Sequence, residues 1–212
     1  MREIPAHPDL RLESVEQPWS GRFPLQVVKF RQRRFDGAWS AQRTWELWRR
    51  GRAAAILPYD PDTDRVLLIE QFRLPALAAG MDPVLVEIPA GLCEPGEDPE
   101  PTVRREMREE TGLTVGAIVP IGNFLLTPGG CDEHCALFAG RVAIPATGAD
   151  GLLGDAGLAA ESEDIRVRAW SATDATERAV AGLFPNSVTS LALLWLAARR
   201  EQLRTDWRGT PA

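Results

Sequence analysis

Residues 91–113 read GLCEPGEDPEPTVRREMREETGL, and this stretch limits the fold more than any other. The VLVEIPAG before it is a short strand that Pro89 and Gly91 bring to a stop. Asp98-Pro99 then supplies a cap and a first-turn proline, so a helix opens there and ends near Gly112. Val103 and Met107, four apart, give that helix an apolar face for a core. Glu106, Glu109 and Glu110 fall three and four residues apart, so Glu106 neighbours both other carboxylates. Like charges at that spacing repel even when exposed, so the pattern fits either a solvated acidic face or a place where positive charge belongs.

Around this helix the chain reads as strands with a few helices. Residues 23–35 are strand-like, Asp36-Gly37 is a hairpin signal, and RTWELWR alternates over 43–49, so residues 1–50 form a β appendage. Residues 51–212 form the main domain, in which AAAILPY and RVLLIEQF flank the turn-rich PDTD as paired core strands. Further strands are expected over 115–124 and 134–142, with IRVRAW as the last. Residues 145–164 make a Gly/Ala-rich loop too long for a mere connector, and 172–181 and 187–201 read as helices. Such a mixture predicts an α/β sandwich.

A chain of 212 residues suits one domain plus an appendage. Its net charge of -6 argues against nucleic acid or an anionic membrane as partner, and no apolar run reaches the length of a membrane span. The opening MREIPAHPDLRLE lacks the apolar core of a signal peptide, and Cys93, Cys131 and Cys135 form no paired framework, which points to a reducing cytoplasm. His7 and His134 are the only histidines, so metal chemistry must use carboxylates. Cys131-Asp132-Glu133-His134-Cys135 resembles half a zinc site, but His134 and Cys135 would point to opposite faces of a strand and no second half completes four ligands. Cys93 reads as a small packed residue.

Gly91 is followed after five residues by Glu97, and after seven more by Arg105-Glu106, Met107, Arg108, Glu109-Glu110, Thr111, Gly112 and Leu113. This resembles the Nudix box, Gly-x5-Glu-x7-Arg-Glu-U-x-Glu-Glu-x-Gly-U with U aliphatic, at every defined position. The resemblance implies a Nudix-type α/β/α sandwich with a mixed sheet, extended here by the N-terminal antiparallel β appendage, and hydrolysis of a phosphoanhydride. It implies that Glu106, Glu109 and Glu110 are metal ligands, joined by the backbone carbonyl of Ala90, and that Glu109 also counts among the catalytic residues. Gly91, Glu97 and Arg105 are structural in that family. Mg²⁺, or Mn²⁺ in its place, suits carboxylates on a rigid helix because hard cations take oxygen ligands.

Flanking segments narrow the substrate. Gln71-Phe72-Arg73, Glu87-Ile88-Pro89-Ala90-Gly91, Thr127-Pro128-Gly129-Gly130 and GLAAESEDIRVRAW resemble ADP-ribose pyrophosphatases, with Pro128 fifteen residues beyond Leu113. That resemblance implies cleavage of ADP-ribose to AMP and ribose 5-phosphate. A GDP-mannose or other nucleoside-diphosphate-sugar pyrophosphatase shares several of these segments. A catalytically silent nucleotide-binding module is a third reading, and the complete set of box glutamates speaks against it.

Residue roles follow from the same resemblance. The fork of Arg73 suits a diphosphate, against the alternative of a surface pair with an acid. RTWE resembles the segment that holds adenine, with Trp45 stacking, Glu46 at the base edge and Phe23 as a second face, where Arg22 aligns equally well. Hairpin packing competes for Trp45 and Trp48. Glu161 and Glu163 lie where the family keeps its catalytic base and an additional metal ligand, with the division between them open and a solvated acidic loop as the alternative. Glu133 is expected near the terminal ribose or a metal. A homodimer with a swapped N-terminal region completes the expectation, with Trp39, Trp45 and Trp48 as aromatic interface surface.

Overall fold

The computed structural model describes residues 3–158 and 163–210. The chain divides into two compact units, one holding residues through Arg52 together with Leu125–His134, the other Ala53–Phe124 with the chain from Cys135 onward.

In the first unit, Leu10–Trp19 (β1), Leu25–Gln32 (β2) and Arg43–Trp48 (β3) form an antiparallel sheet in the order β1-β2-β3. The strand β1 was not among those expected, because the alternation of LRLE is short and a bulge between Leu12 and Ser14 breaks it. The β2–β3 hairpin turns at Asp36-Gly37, where Gly37 takes φ +84 and Ala38 N donates to Asp36 Oδ1 at 3.0 Å. On β2, Gln26, Val28 and Phe30 are buried. The register sets Val28 opposite Trp45 and Val27 opposite Glu46, so Trp45 shares the buried face while Glu46 and Trp48 take the other. Residues 125–134, which the sequence left with the main domain, are bonded into this unit. Trp48 N donates to Gly130 O at 2.8 Å and Asp132 N to Trp48 O at 3.2 Å.

The second unit is built on a sheet of Arg52–Asp60 (β4), Arg65–Phe72 (β5), Ile118–Leu125 (β8), His134–Arg141 (β9), Leu152–Ala156 (β10) and Ile165–Ser171 (β11), ordered β10-β11-β5-β4-β9-β8. Val84–Glu87 (β6) pairs with β5, and Ala90–Leu92 (β7) with β4. The sheet is mixed. Strands β5, β6, β10 and β11 pair antiparallel, whereas Val142 N donates to Tyr59 O just as His134 N does to Gly51 O, which makes β4 and β9 parallel. The strand β10 lies inside the expected long loop, where its Gly-rich sequence hid it.

Among the described residues four helices accompany the sheet: Leu74–Ala78 (α1), Pro99–Thr111 (α2), Ala172–Val180 (α3) and Ser187–Trp207 (α4). Val103 and Met107 of α2 are fully buried against Ala54, Ile56, Leu67, Ile69, Ile165 and Val167. Alternation sends Tyr59 to the opposite face, where its ring meets Trp207 of α4 at 6.4 Å. Helices on both faces of a mixed sheet give the α/β/α sandwich expected. Among the described residues no helix is long and apolar enough to cross a membrane.

Candidate active site

The acidic helix α2 is held by both ends. Its C-cap, Gly112, sits in the left-handed region at φ +72, as a helix stop requires. At the N-terminus the Asp98 side chain makes no cap bond, contrary to expectation. Its carbonyl instead accepts from Thr102 N at 3.3 Å and Thr102 Oγ1 at 3.1 Å. The loop from β7 into α2 is tied by Glu97, which accepts from Glu94 N at 3.0 Å, a bond that leads the causes holding its carboxyl below the usual range.

Glu110 is almost fully buried, and its Oε2 accepts from Ala90 N at 2.9 Å. Burial pushes its pKa from 4.5 to about 8, with the charges of Glu106 and Glu163 adding to the rise while the Ala90 bond and the Arg73 charge oppose it. Glu106 is also raised, first by burial, against the pull of Arg105. Gly91 explains how close the strand comes, since a Cβ there would overlap the Glu106 carboxylate.

The Arg105 guanidinium lies among these acids. Its Nη1 donates to Glu106 Oε1 at 2.7 Å and to Glu109 Oε2 at 2.8 Å. Its Nη2 reaches Glu97 Oε2 and Leu92 O, both at 3.4 Å. Among the described residues no three His, Cys, Asp or Glu side chains converge as they stand on a point that could hold a metal ion. With Arg105 bridging two of the three helix carboxylates, this is the expected geometry of a cluster neutralised from within. The donors themselves are all oxygen, and the third carboxylate is buried so deeply that it favours its proton. Such a set fits a hard divalent cation.

Glu163 stands near the helix acids, since its charge raises both Glu106 and Glu110. Its N donates to Leu158 O at 3.2 Å and its Oε2 accepts from Leu158 N at 3.1 Å, while the neighbouring Gly157 N donates to Glu109 O at 3.3 Å. Glu161 lies outside the described residues. Arg73 Nε donates to the buried Glu87 Oε2 at 2.7 Å, and the second Glu87 oxygen accepts from Asn186 Nδ2. The acid partner weighed for Arg73 is therefore present, on a residue whose charge still reaches Glu110.

A second cluster belongs to the first unit. A cavity of about 440 Å³ is lined by Trp19, Leu25, Glu46, Trp48 and Gly130. Trp48 meets Phe23 edge-on at 6.0 Å, and Arg50 lies over both rings, at 4.4 Å from Phe23 and 4.8 Å from Trp48. Arg50 also grips Glu133 with both arms, at 2.7 and 3.1 Å. Trp45 is not in this cluster and does not face the same way as Glu46. Adjacent strand residues face opposite ways, and Trp45 packs edge-on to Phe30 at 5.3 Å. Trp48 and Arg50 were not among the residues singled out from the sequence, although the alternation of RTWELW already grouped Trp48 with Glu46. The Cys131–Cys135 segment serves packing and turns: Cys131 and Cys135 are buried, Glu133 N donates to Cys131 Sγ at 3.4 Å, and Asp132 pairs with Arg49 at 2.8 Å.

An acid-lined helix beside a short strand of a mixed sheet, with an arginine fork at hand, is equipped to handle a phosphorylated substrate through a bound cation. Comparison with known proteins agrees. Residues 49–181 match the family described as NUDIX domain. The ADP-ribose pyrophosphatase of Escherichia coli K12 is 39% identical over 199 residues, covering 94% of this chain and 93% of its own. The GDP-mannose pyrophosphatase of Yersinia enterocolitica is 39% identical over 105 residues, covering 49% of this chain and 54% of its own. A solved ADP compounds hydrolase shares the fold with a TM-score of 0.66 at 18% identity, over 97% of this chain and 100% of its own. The chain belongs to the NUDIX domain family and is a Nudix hydrolase.

Proposed function

We propose that the protein hydrolyses the diphosphate of ADP-ribose, giving AMP and ribose 5-phosphate. The observation that carries this reading is the near-full-length likeness to an ADP-ribose pyrophosphatase, set against GDP-mannose pyrophosphatase likeness over only half the chain. The alternative of GDP-mannose or another nucleotide sugar uses the same machinery and differs in the base pocket.

In this reading Glu106, Glu109 and Glu110, with the Ala90 carbonyl and Glu163, hold Mg²⁺, or Mn²⁺ in its place. The bound cation would supply charge for the leaving phosphate and acidity to a water. The chain's own groups do the rest. Glu163, or Glu161 in its place, accepts the proton of the attacking water, whose oxygen joins one phosphorus as the bridging P–O bond breaks. Arg73 offers its remaining N–H groups to the diphosphate without leaving Glu87. Gly91, Glu97 and Arg105 keep strand and helix in place.

Base recognition falls to the first unit. Trp48 and Phe23 supply the ring faces, Glu46 accepts from the base edge, and Glu133, oriented by Arg50, meets the terminal ribose. The exposed aromatic surface of that unit, including Trp19 and Trp45, supports a homodimer with a swapped N-terminal region. The odd number of cysteines, with no paired framework in the sequence, supports a cytoplasmic setting. The reading is tested by incubating metal-stripped protein with ADP-ribose, then adding Mg²⁺. AMP and ribose 5-phosphate should appear only after the addition, and turnover in excess EDTA would refute it.

A further inference from the structure

Arg105 spends its best hydrogen bonds in an unexpected place. On the loop side, Glu97 and the Leu92 carbonyl receive only long contacts of 3.4 Å. The two carboxylates offered to a cation receive the short ones, 2.7 Å to Glu106 and 2.8 Å to Glu109. Its Nε is buried and has no hydrogen-bond partner. The guanidinium thus makes its short bonds to the helix acids and its long ones to the loop, with one buried donor unpaired.

We propose that Arg105 is an internal counter-cation, bridging Glu106 and Glu109 in the metal-free protein and withdrawing onto Glu97 and Leu92 O when a divalent cation binds. This rests on the metal-dependent reading given above. A divalent cation brought to these carboxylates meets the guanidinium charge at close range, so loading the site drives the fork to give way. Glu97 is suited to receive it. It is already anchored by Glu94 N, its carboxyl stays ionised, and it needs only a small movement of Arg105 to shorten an existing contact. Arg105 would then set the affinity of the site, lowering it while preventing the empty acids from repelling one another.

Exchange makes a prediction that bracing alone does not. Arg105→Gln removes the internal competitor, and Glu97→Gln removes the position to which the competitor withdraws. Both changes delete the same Arg105–Glu97 brace, so a purely structural role would move metal affinity the same way in each. Exchange moves it in opposite directions. Each partly exposed ion pair shifts an equilibrium by up to about fivefold, so loss of two should tighten binding on the order of tenfold.

The test is titration of EDTA-stripped protein with Mn²⁺, following free Mn²⁺ by electron paramagnetic resonance, with thermal unfolding recorded with and without the ion. Arg105→Gln should bind about tenfold tighter and gain more Tm from Mn²⁺ than wild type, and Glu97→Gln should bind several-fold weaker and gain less. Arg105→Lys should lie between wild type and Arg105→Gln, because it keeps the competing charge but loses the planar two-armed grip, and it carries the comparison if the glutamine variant does not fold. Shifts in the same direction, or unchanged affinity on removing the fork, would overturn the exchange while leaving the metal reading standing. Folded wild type that takes up no Mn²⁺ would overturn both.

Discussion

Glu110→Gln should make the metal-free protein more stable at high pH while disabling it. Glu110 is 3% exposed and its pKa stands at about 8 against 4.5 for an ordinary glutamate. The unfolded chain therefore releases this proton near pH 4.5, whereas the folded chain keeps it until about pH 8. The folded state binds more protons throughout that window, so stability falls as pH rises through it and levels off above. The gap between 4.5 and about 8, at about 1.4 kcal/mol per pH unit, sets a ceiling of about 5 kcal/mol on the loss. Between pH 5 and pH 9, about 4 kcal/mol of that falls within reach of measurement. Glutamine keeps an oxygen for Ala90 N and carries no titrating proton, so it escapes the loss. Urea unfolding in EDTA at both pH values, wild type against variant, gives the double difference. The variant should gain on wild type by about 4 kcal/mol from pH 5 to pH 9. Parallel pH dependences would refute the claim that Glu110 sits buried and keeps its proton in the metal-stripped protein.

Three further outcomes are expected. Trp48→Ala should raise KM for ADP-ribose about tenfold or more, since ring stacking on a base is worth about 1–3 kcal/mol, whereas Trp45→Ala should leave KM unchanged and cost about 1 kcal/mol of stability through its lost edge contact with Phe30. Gly91→Ala should keep the fold but displace the Glu106 carboxylate, seen as weaker Mn²⁺ binding at nearly constant Tm. Glu163→Gln should cut kcat by about a hundredfold or more with little change in KM, and a variant with full kcat would shift the base role to Glu161.

Much of this was legible in the sequence where period and punctuation agree. The 91–113 segment announced its strand stop, its helix and its left-handed Gly112, and the structure puts α2 at Pro99–Thr111. The apolar pair Val103 and Met107 identified the face that the sheet would cover. The strands β1 and β10 escaped because the alternation of the first is cut short by a bulge and the second is a short strand set among glycines. Trp45 and Glu46 were grouped on one face for a different reason. Composition marked RTWELW as aromatic, but only the strand register decides which tryptophan shares a face with Glu46. The Arg50–Glu133 fork joins residues 83 apart, and the grip of Arg105 on Glu106 and Glu109 depends on side-chain placement. No local pattern encodes either.

The most direct test of the central claim is kcat/KM for ADP-ribose and for GDP-mannose, measured side by side with Mg²⁺ for wild type and Glu110→Gln, with products identified by chromatography. The account predicts that wild type prefers ADP-ribose, releases AMP and ribose 5-phosphate, and loses this activity in the variant. Preference for GDP-mannose, or undiminished turnover by Glu110→Gln, would contradict it.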